Sequence, residues 1–173
     1  MDPLKLSQKE RATSLRLAGE HRRVKTLATG RSRAVLVRPL TRDRGQREER
    51  RRSLVGMYDY SVDRSIVAVV DLKSERVLSV EETPVQFQLA PEERKEAEEL
   101  AARHDRVKEF LDGRDMNPLT RLYFPASGSE ETRKHRFAIV FLRPTNGERR
   151  YAVVDLSARE VTDVLSPQDM TPQ

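Results

Sequence analysis

The chain has 173 residues, of which 36% are hydrophobic and 35% are charged, and it contains no cysteine. The absence of thiols excludes disulfide bonds, cysteine nucleophiles and cysteine-ligated metal sites. No run of about 18 apolar residues occurs, so the sequence predicts no membrane-spanning helix and no membrane partner. Because the first residues lack the apolar core of a signal peptide, we expect a cytoplasmic protein, or a secreted one if a leader has been removed.

The sequence contains an internal repeat. Segments that begin at Leu6, His21 and Gly30 recur 83 residues later at Leu89, His104 and Gly113, and the segment 70–77 recurs 84 residues later as 154–161. Landmarks that keep one spacing near both ends of a unit indicate two copies of one domain. We therefore predict a first unit at residues 1–86, a second unit at residues 87–167 and a disordered tail at residues 168–173.

Charge is distributed unevenly between the two predicted units. The formal net charge is +5, with 19 Lys and Arg against 12 Asp and Glu in residues 1–88, and 14 against 16 in residues 89–173. The asymmetry can attract an anionic partner or orient the units toward each other. Because units of roughly 80 residues have small cores, we expect the two units to pack together and to unfold cooperatively.

Each predicted unit opens with a helix. The spacing of Ser7 and Glu10 predicts a capping box at the start of the first helix, and Pro91 is expected in the first turn of the second. Apolar residues then recur at helical spacing, which predicts one continuous helix per unit. Gly30 and Gly113 are expected to end these two helices.

Four predicted strands follow each helix. They are expected at 34–40, 53–60, 65–71 and 76–82 in the first unit, and at 119–124, 136–143, 150–155 and 160–165 in the second. An Asn146-Gly147 pair between two of these runs is typical of a hairpin turn. We therefore predict an α+β fold of two tandem units, in which each helix packs across one face of a four-stranded antiparallel sheet.

Several motifs of this pattern resemble those of a known family. They are Asp2-Pro3-Leu4, the strand that ends in Tyr58-Asp59-Tyr60, the strands 67–72 and 151–156 that end in Val-Asp-Leu, and the strand 77–82 that begins with valine. With these motifs the chain resembles the second and third N-terminal domains of copper amine oxidases. Those domains are tandem cystatin-like α-β-β-β-β units ahead of a large catalytic β-sandwich, and the resemblance implies the same fold for nearly the whole chain.

The resemblance carries the fold to this chain but not the activity. In the family, a quinone cofactor forms from a tyrosine in an Asn-Tyr-Asp/Glu motif, and copper is held by three histidines, two of them in a His-x-His pair. Here no tyrosine follows an asparagine, and His21, His104 and His135 are isolated in the sequence. These 173 residues do not contain the large catalytic domain, and no other catalytic motif occurs in them. We expect a protein that is not an enzyme and that has no cofactor.

Two histidines are the candidates for a metal or proton-relay site, because His21 and His104 occupy equivalent positions of the two predicted helices. Both lie on the apolar stripe, and a metal site needs about three or four converging protein ligands. Packing against their own sheets is therefore the favoured interpretation. His135 follows two basic residues and is expected to face the solvent. Asp71 and Asp155 each begin a predicted turn, where an aspartate accepts backbone hydrogen bonds.

Residues 42–52 are the most conspicuous local feature of the sequence. The arginines of this stretch are the candidates for contact with an anion or a partner: Arg42, Arg44, Arg47, Arg50, Arg51 and Arg52. Such a cluster can neutralise nucleic-acid phosphates, but three acidic residues within the stretch dilute its charge. Aromatic residues make up only 5% of the chain, which leaves no stacking platform for single strands. A solvated connection between strands is favoured, and a nucleic-acid partner is disfavoured.

Three functions from different classes follow from these observations. The leading hypothesis is a non-catalytic protein-binding or scaffold protein, whose sheet faces and edges dock another protein. A separately encoded enzyme is one candidate partner, and a homodimer is a further option. The first alternative is a small-ligand or metal-handling accessory protein with a cleft between the units, to which His21 or His104 contributes. The second is an RNA- or phosphate-binding module that uses the arginines of residues 42–52.

Overall fold

The structure of the protein, a computed structural model, describes residues 5–40, 51–115, 117–125, 129–130, 134–144 and 148–169. The chain divides into two units, Met1–Phe87 and Gln88–Gln173. In its described part, each unit has two helices followed by an antiparallel sheet of four strands in sequential order. The predicted α+β class, with a helical layer on a four-stranded sheet in each of two tandem units, is confirmed.

In the first unit, each strand pairs with the strand that follows it in the chain. The elements are α1 (Gln8–Glu20), α2 (Arg22–Leu27), β1 (Ser32–Pro39), β2 (Arg52–Asp59), β3 (Arg64–Asp71) and β4 (Arg76–Thr83). The sheet order is β1-β2-β3-β4, so β1 and β4 are its edge strands. The helices and strands therefore follow one another as a helical layer and a simple meander.

The second unit repeats this order. Its elements are α3 (Pro91–Arg103), α4 (Asp105–Leu111), β5 (Leu119–Tyr123), β6 (Phe137–Leu142), β7 (Arg150–Asp155) and β8 (Glu160–Leu165). Its edge strands are β5 and β8. The predicted strands of both units are confirmed, with ends that differ by two residues at most. The Asn146-Gly147 turn and residues 170–173 of the predicted tail lie outside the described residues.

The helical layers differ from the prediction, because each is divided in two at a histidine. His21 separates α1 from α2, and His104 separates α3 from α4. Both histidines have extended backbone angles, with φ −67° and ψ 129° at His21 and φ −74° and ψ 132° at His104. The prediction of one continuous helix per unit is therefore wrong. In the described part of the chain, no helix is long and apolar enough to cross a membrane.

The break follows from the spacing of the residues that fill the core. Ala18 in α1 and Val24 in α2 are both buried, and so are Ala101 and Val107 in the second unit. Over six residues a continuous α-helix turns through roughly 600°, which leaves the two side chains about 120° apart around its axis. One extended residue between two short helices changes the direction in which the side chains of the second helix point. The alanine and the valine can then both face the sheet.

The two glycines that were predicted to end helices have different roles. Gly113 follows α4 with a φ of 73°, which is the conformation that glycine commonly adopts after a helix. In the first unit α2 already ends at Leu27, and Gly30 lies against Ser61, where a Cβ atom would be 2.0 Å from the Ser61 Oγ atom. Gly30 therefore permits a close approach of two chain segments, and its prediction as a helix stop is wrong.

The predicted capping box at the start of α1 is confirmed. Ser7 Oγ accepts a hydrogen bond from Glu10 N (3.2 Å), and Glu10 Oε2 accepts one from Ser7 N (2.7 Å). At the start of α3, Glu93 Oε2 accepts a hydrogen bond from Ala90 N (2.7 Å). Alanine has no hydroxyl group, so only the glutamate half of the box exists in the second unit.

An arginine of each unit holds these capping glutamates from the sheet side. Arg51 donates from Nε to Glu10 Oε1 (2.7 Å) and from Nη2 to Glu10 Oε2 (3.1 Å). Arg136 donates from Nε to Glu93 Oε1 (2.5 Å) and from Nη2 to Glu93 Oε2 (2.9 Å). The same bidentate pair thus ties the helix start to the sheet in both copies of the repeat. The second pair is fully buried, with both side chains 0% exposed.

The pair of the first unit makes stability depend on pH. The hydrogen bond from Arg51 lowers the pKa of the Glu10 carboxyl from 4.5 to about 2, and hydrogen bonds from Ser7 act in the same direction. A pKa that is lower in the folded state adds stability above the unfolded value, and that stability is lost as the pH falls through the folded value. With a discount for the partial exposure of the pair, the contribution is about 2 kcal/mol.

Glu10→Gln is therefore expected to be less stable than the unsubstituted chain by about 2 kcal/mol at pH 6, and this difference shrinks as the pH falls from about 5 toward 2. Chemical denaturation of both chains at a series of pH values measures the difference. Glu81→Gln, at an exposed position of β4, controls for the change in net charge. A stability difference that is constant over this pH range would contradict the role of Glu10.

The core of the first unit lies between its helices and one face of its sheet. Its buried members are Ala18, Val24, Val55, Ile66, Ala68, Val70 and Val80. On the opposite face, Gly56 in β2 makes room for Phe87, because a Cβ atom at Gly56 would be 2.8 Å from the nearest ring carbon. Gly56 is the fifth residue of β2, and the fifth residue of β6 is Phe141. In the first unit the aromatic ring at this position therefore comes from Phe87, whereas in the second unit it comes from Phe141 of the strand itself.

Gly56→Ala is expected to lower the free energy of unfolding by about 2 kcal/mol, because the added methyl group displaces the Phe87 ring. In the background of Phe87→Ala the same substitution should cost less than half as much, since the obstructing ring is gone. Thermal or chemical denaturation of the four chains of this cycle measures the coupling. Equal costs in the two backgrounds would show that Phe87 does not pack on β2.

Candidate functional site

The two histidines at equivalent positions lie at the helix breaks, one in each unit. The Nδ1 atoms of His21 and His104 are buried, and neither has a hydrogen-bond partner within the described residues. Across the same residues, no group of three or more His, Asp or Glu side chains could hold a metal ion. The buried ring atoms agree with the interpretation of these histidines as packing residues. Their role as metal ligands gains no support from the described geometry.

His135 is held by a buried carboxylate. The prediction that it faces the solvent is therefore wrong. Its Nδ1 atom lies 2.6 Å from Oδ2 of Asp155, and its ring stacks on Phe137 with 6.2 Å between the centroids. The side chain of His135 is 28% exposed and that of Asp155 is 3% exposed. The prediction failed because the partner is on β7, far away in the sequence. The carboxylate fixes the orientation of the imidazole next to β6.

Asp71 and Asp155 begin tight turns, as predicted. Asp71 Oδ1 accepts hydrogen bonds from the backbone N atoms of Lys73 (2.9 Å) and Ser74 (3.0 Å). The bond from Ser74 is the main cause that holds the pKa of the Asp71 carboxyl below its ordinary value. Asp155 Oδ1 accepts the equivalent pair of bonds, at 2.8 and 2.9 Å. The two aspartates have the same structural role, and only Asp155 has the additional histidine.

The arginine candidates of residues 42–52 are only partly described. Arg42, Arg44, Arg47 and Arg50 lie outside the described residues. Arg51 is engaged with Glu10, and its Nη2 atom also donates to the Lys5 carbonyl oxygen (2.6 Å). This geometry gives Arg51 a structural position at the start of α1. Arg52 is the first residue of β2 and is half-buried.

A shallow cavity of about 230 Å³ lies at the end of the helical layer in the second unit, lined by Arg106, Glu109, Phe110, Arg150 and Val164. The two arginine side chains that line it already contact other groups of the protein. Arg106 Nη2 donates to the Val164 carbonyl oxygen (2.9 Å), and the Arg150 guanidinium lies 5.7 Å from the Phe110 ring centroid and 3.3 Å from the Glu148 carboxylate. The cavity therefore offers little to an anionic ligand.

The edge strand β5 is a candidate binding feature of the described chain. It pairs with β6 over five consecutive residues without a register shift. Leu119 is 38% exposed, and Phe124 directly after the strand is 64% exposed. Arg121 in the middle of the strand is also exposed. An edge strand presents unpaired backbone groups on its outer side, to which another extended chain can add.

The other edge strands each carry a bulge and more charges. In β1, Val35 is an extra residue between two paired neighbours; in β4 and β8 the extra residues are Leu78 and Thr162. β1 contains two arginines and a proline, β4 contains three charged residues, and β8 contains two acidic residues. Bulges and charges are the means by which proteins protect edge strands from pairing. Within the described residues, β5 is the edge strand that lacks a bulge.

The difference between β5 and the other edge strands is visible in the sequence as a difference in charge content, although not in the hydrophobic pattern. β5 has the single charged residue Arg121, whereas the equivalent strand β1 has Arg33, Arg38 and Pro39. The positions of the bulges cannot be predicted from the sequence in this way, because an extra residue in a strand leaves the run of strand-forming residues intact. Sheet edges in general could be predicted as docking surfaces, but the open edge could be chosen only once the register was known.

Comparison with known proteins relates the chain to solved structures. No family model matches the sequence, and no curated protein matches it. Among solved structures, a copper-containing benzylamine oxidase from Hansenula polymorpha is similar in fold, with a TM-score of 0.64 over 96% of this chain. The two sequences are 15% identical, and the chain spans 30% of the length of that oxidase. The predicted resemblance to the tandem N-terminal domains of copper amine oxidases is thus confirmed for the fold.

Proposed function

We propose that the chain is a non-catalytic protein-binding module, an accessory or scaffold protein that engages an extended segment of another protein along the edge of β5. The observation that carries the proposal is the regular, unbulged pairing of β5 with exposed apolar side chains at both of its ends. The similarity in fold to a part of a copper-containing oxidase supports an accessory role. A separately encoded enzyme is one candidate partner under this proposal.

Strand addition suits the chemistry of this edge. A strand of five residues spans about 17 Å, which offers several outward N–H and C=O groups to a partner chain. Leu119 and Phe124 supply apolar contacts near the two ends of the strand. Main-chain hydrogen bonds then provide affinity, and the side chains provide selectivity.

A library of random peptides selected against the whole chain tests the proposal. The combined substitution of Leu119→Lys and Phe124→Lys places the charges that protect natural edges next to β5. Both side chains are exposed, so the fold should tolerate the change. We expect the selected peptides to bind this variant at least about tenfold more weakly, because a lysine at each end of β5 opposes docking of an apolar strand. Titration calorimetry or fluorescence anisotropy measures the affinity.

The first unit offers a matched control. Val62→Lys and Leu78→Lys change two similarly exposed hydrophobic residues that belong to the first unit and are not part of β5. Under the proposal this variant retains the affinity of the unsubstituted chain. Peptides that bind both variants equally well, or a selection that yields no binding peptide, would refute the proposal.

The non-catalytic half of the proposal has its own test. The chain is incubated with copper and oxygen, and its absorption spectrum and its ability to oxidise amines are recorded. We expect no quinone absorption and no amine oxidation, because no tyrosine of the sequence follows an asparagine and no two histidines form a His-x-His pair. Turnover of an amine with a quinone signal would overturn the non-catalytic assignment.

A further inference from the structure

The chemistry of the β5 partner can be derived from the side chains that β5 presents. Thr120 Oγ1 donates a hydrogen bond to Glu98 Oε1 on α3 (2.6 Å), so this residue faces the helical layer. Side chains alternate along a strand, which places Leu119, Arg121 and Tyr123 together on the face away from the helices. An added strand would meet these three side chains in sequence on that face.

Arg121 is the centre of this row. It is exposed, and within the described part of the chain it makes no ion pair and no side-chain hydrogen bond. In an antiparallel pair, directly opposite residues point to the same face with Cβ atoms about 5 Å apart. A carboxylate opposite Arg121 would form a cross-strand ion pair, and a basic residue there would be repelled.

The neighbours of Arg121 set the rest of the pattern. Leu119 and Tyr123 lie two residues to either side of it and face the same way. Partner residues opposite them have the same spacing around the acidic position. Apolar side chains there would cover the exposed Leu119 and the half-buried Tyr123.

We propose, building on the proposed function, that β5 of this chain recognises an extended protein segment in which an acidic residue is flanked two positions away on each side by apolar residues. A second copy of the chain fits this pattern poorly. Two copies of β5 related by a two-fold axis can pair all five of their residues in one register. In that register Arg121 lies directly opposite Arg121, and like charges in this position are destabilising. The structure therefore favours a different protein as the occupant.

Two matched peptides test the charge rule on the full chain. Each is a heptapeptide with threonine at the outer and intermediate positions and valine two positions on either side of the centre; one has glutamate at the centre and the other lysine. We expect the glutamate peptide to bind about fivefold more tightly than the lysine peptide at low ionic strength. Arg121→Glu should reverse this order. Arg38→Glu, on the edge strand β1, should leave the order unchanged.

The outcomes separate this inference from the proposed function. Reversal of the preference by Arg121→Glu alone supports the acidic pattern. Equal affinity of the two peptides, or reversal by Arg38→Glu, overturns it, and library-selected peptides that still require Leu119 and Phe124 would leave the proposed function standing. If library selection yields no binding peptide, the proposed function fails as well.

Discussion

Glu93→Ala is expected to lower the free energy of unfolding by about 4 kcal/mol, the largest loss for any single substitution proposed for this chain. The substitution leaves the Arg136 guanidinium buried without its carboxylate, since both side chains are 0% exposed. It also removes the acceptor of the Ala90 N–H group at the start of α3. Chemical denaturation followed by circular dichroism measures the loss.

The first unit provides a matched control, because Glu10 holds Arg51 in the same way with partly exposed side chains. Glu10→Ala should cost only about 2 kcal/mol, since water can solvate the arginine that remains. Replacement of both Glu93 and Arg136 by methionine should recover most of the loss, because no unpaired buried charge is left. Equal losses for the two single substitutions would contradict the assigned difference in burial.

Asp155→Ala is expected to cost about 3 kcal/mol, the second largest effect. Asp155 accepts two backbone hydrogen bonds in the turn after β7 and holds His135 through its other oxygen. The removed carboxylate leaves several partly buried donors without an acceptor. Asp71→Ala, at the equivalent exposed turn of the first unit, should cost about 1 kcal/mol. The loss in the free energy of unfolding caused by His135→Ala measures how much of the Asp155→Ala effect comes from the contact with the histidine. A cost for Asp155→Ala no greater than that of Asp71→Ala would contradict this account.

Much of the fold could be predicted because its signals are local and occur twice. Strand-forming runs, the capping box at Ser7 and the proline at Pro91 each act through neighbouring residues in the chain. The repeat spacing of 83 to 84 residues then assigned each signal to one of two units. Local propensity and internal repetition are thus sufficient to predict a helical layer and a four-stranded meander in each unit.

The features that could not be predicted depend on contacts between distant residues. The pairing of Arg136 with Glu93 and of His135 with Asp155 joins residues 43 and 20 positions apart. The helix breaks at His21 and His104 depend on which residues must face the sheet, and helical periodicity alone gives no sign of them. The open edge of β5 likewise appears only when its register is compared with the bulged edges of the other strands.

Amide hydrogen exchange, measured by NMR with and without a library-selected peptide, tests directly whether a partner chain adds to β5. We expect the peptide to slow exchange of the outward-facing amides of residues 119–123 at least about tenfold, since each gains a backbone hydrogen bond. The amides of β1, β4 and β8 should exchange at unchanged rates. Protection at another edge, or a bound peptide that leaves the β5 amides unprotected, would show that the partner does not add to β5.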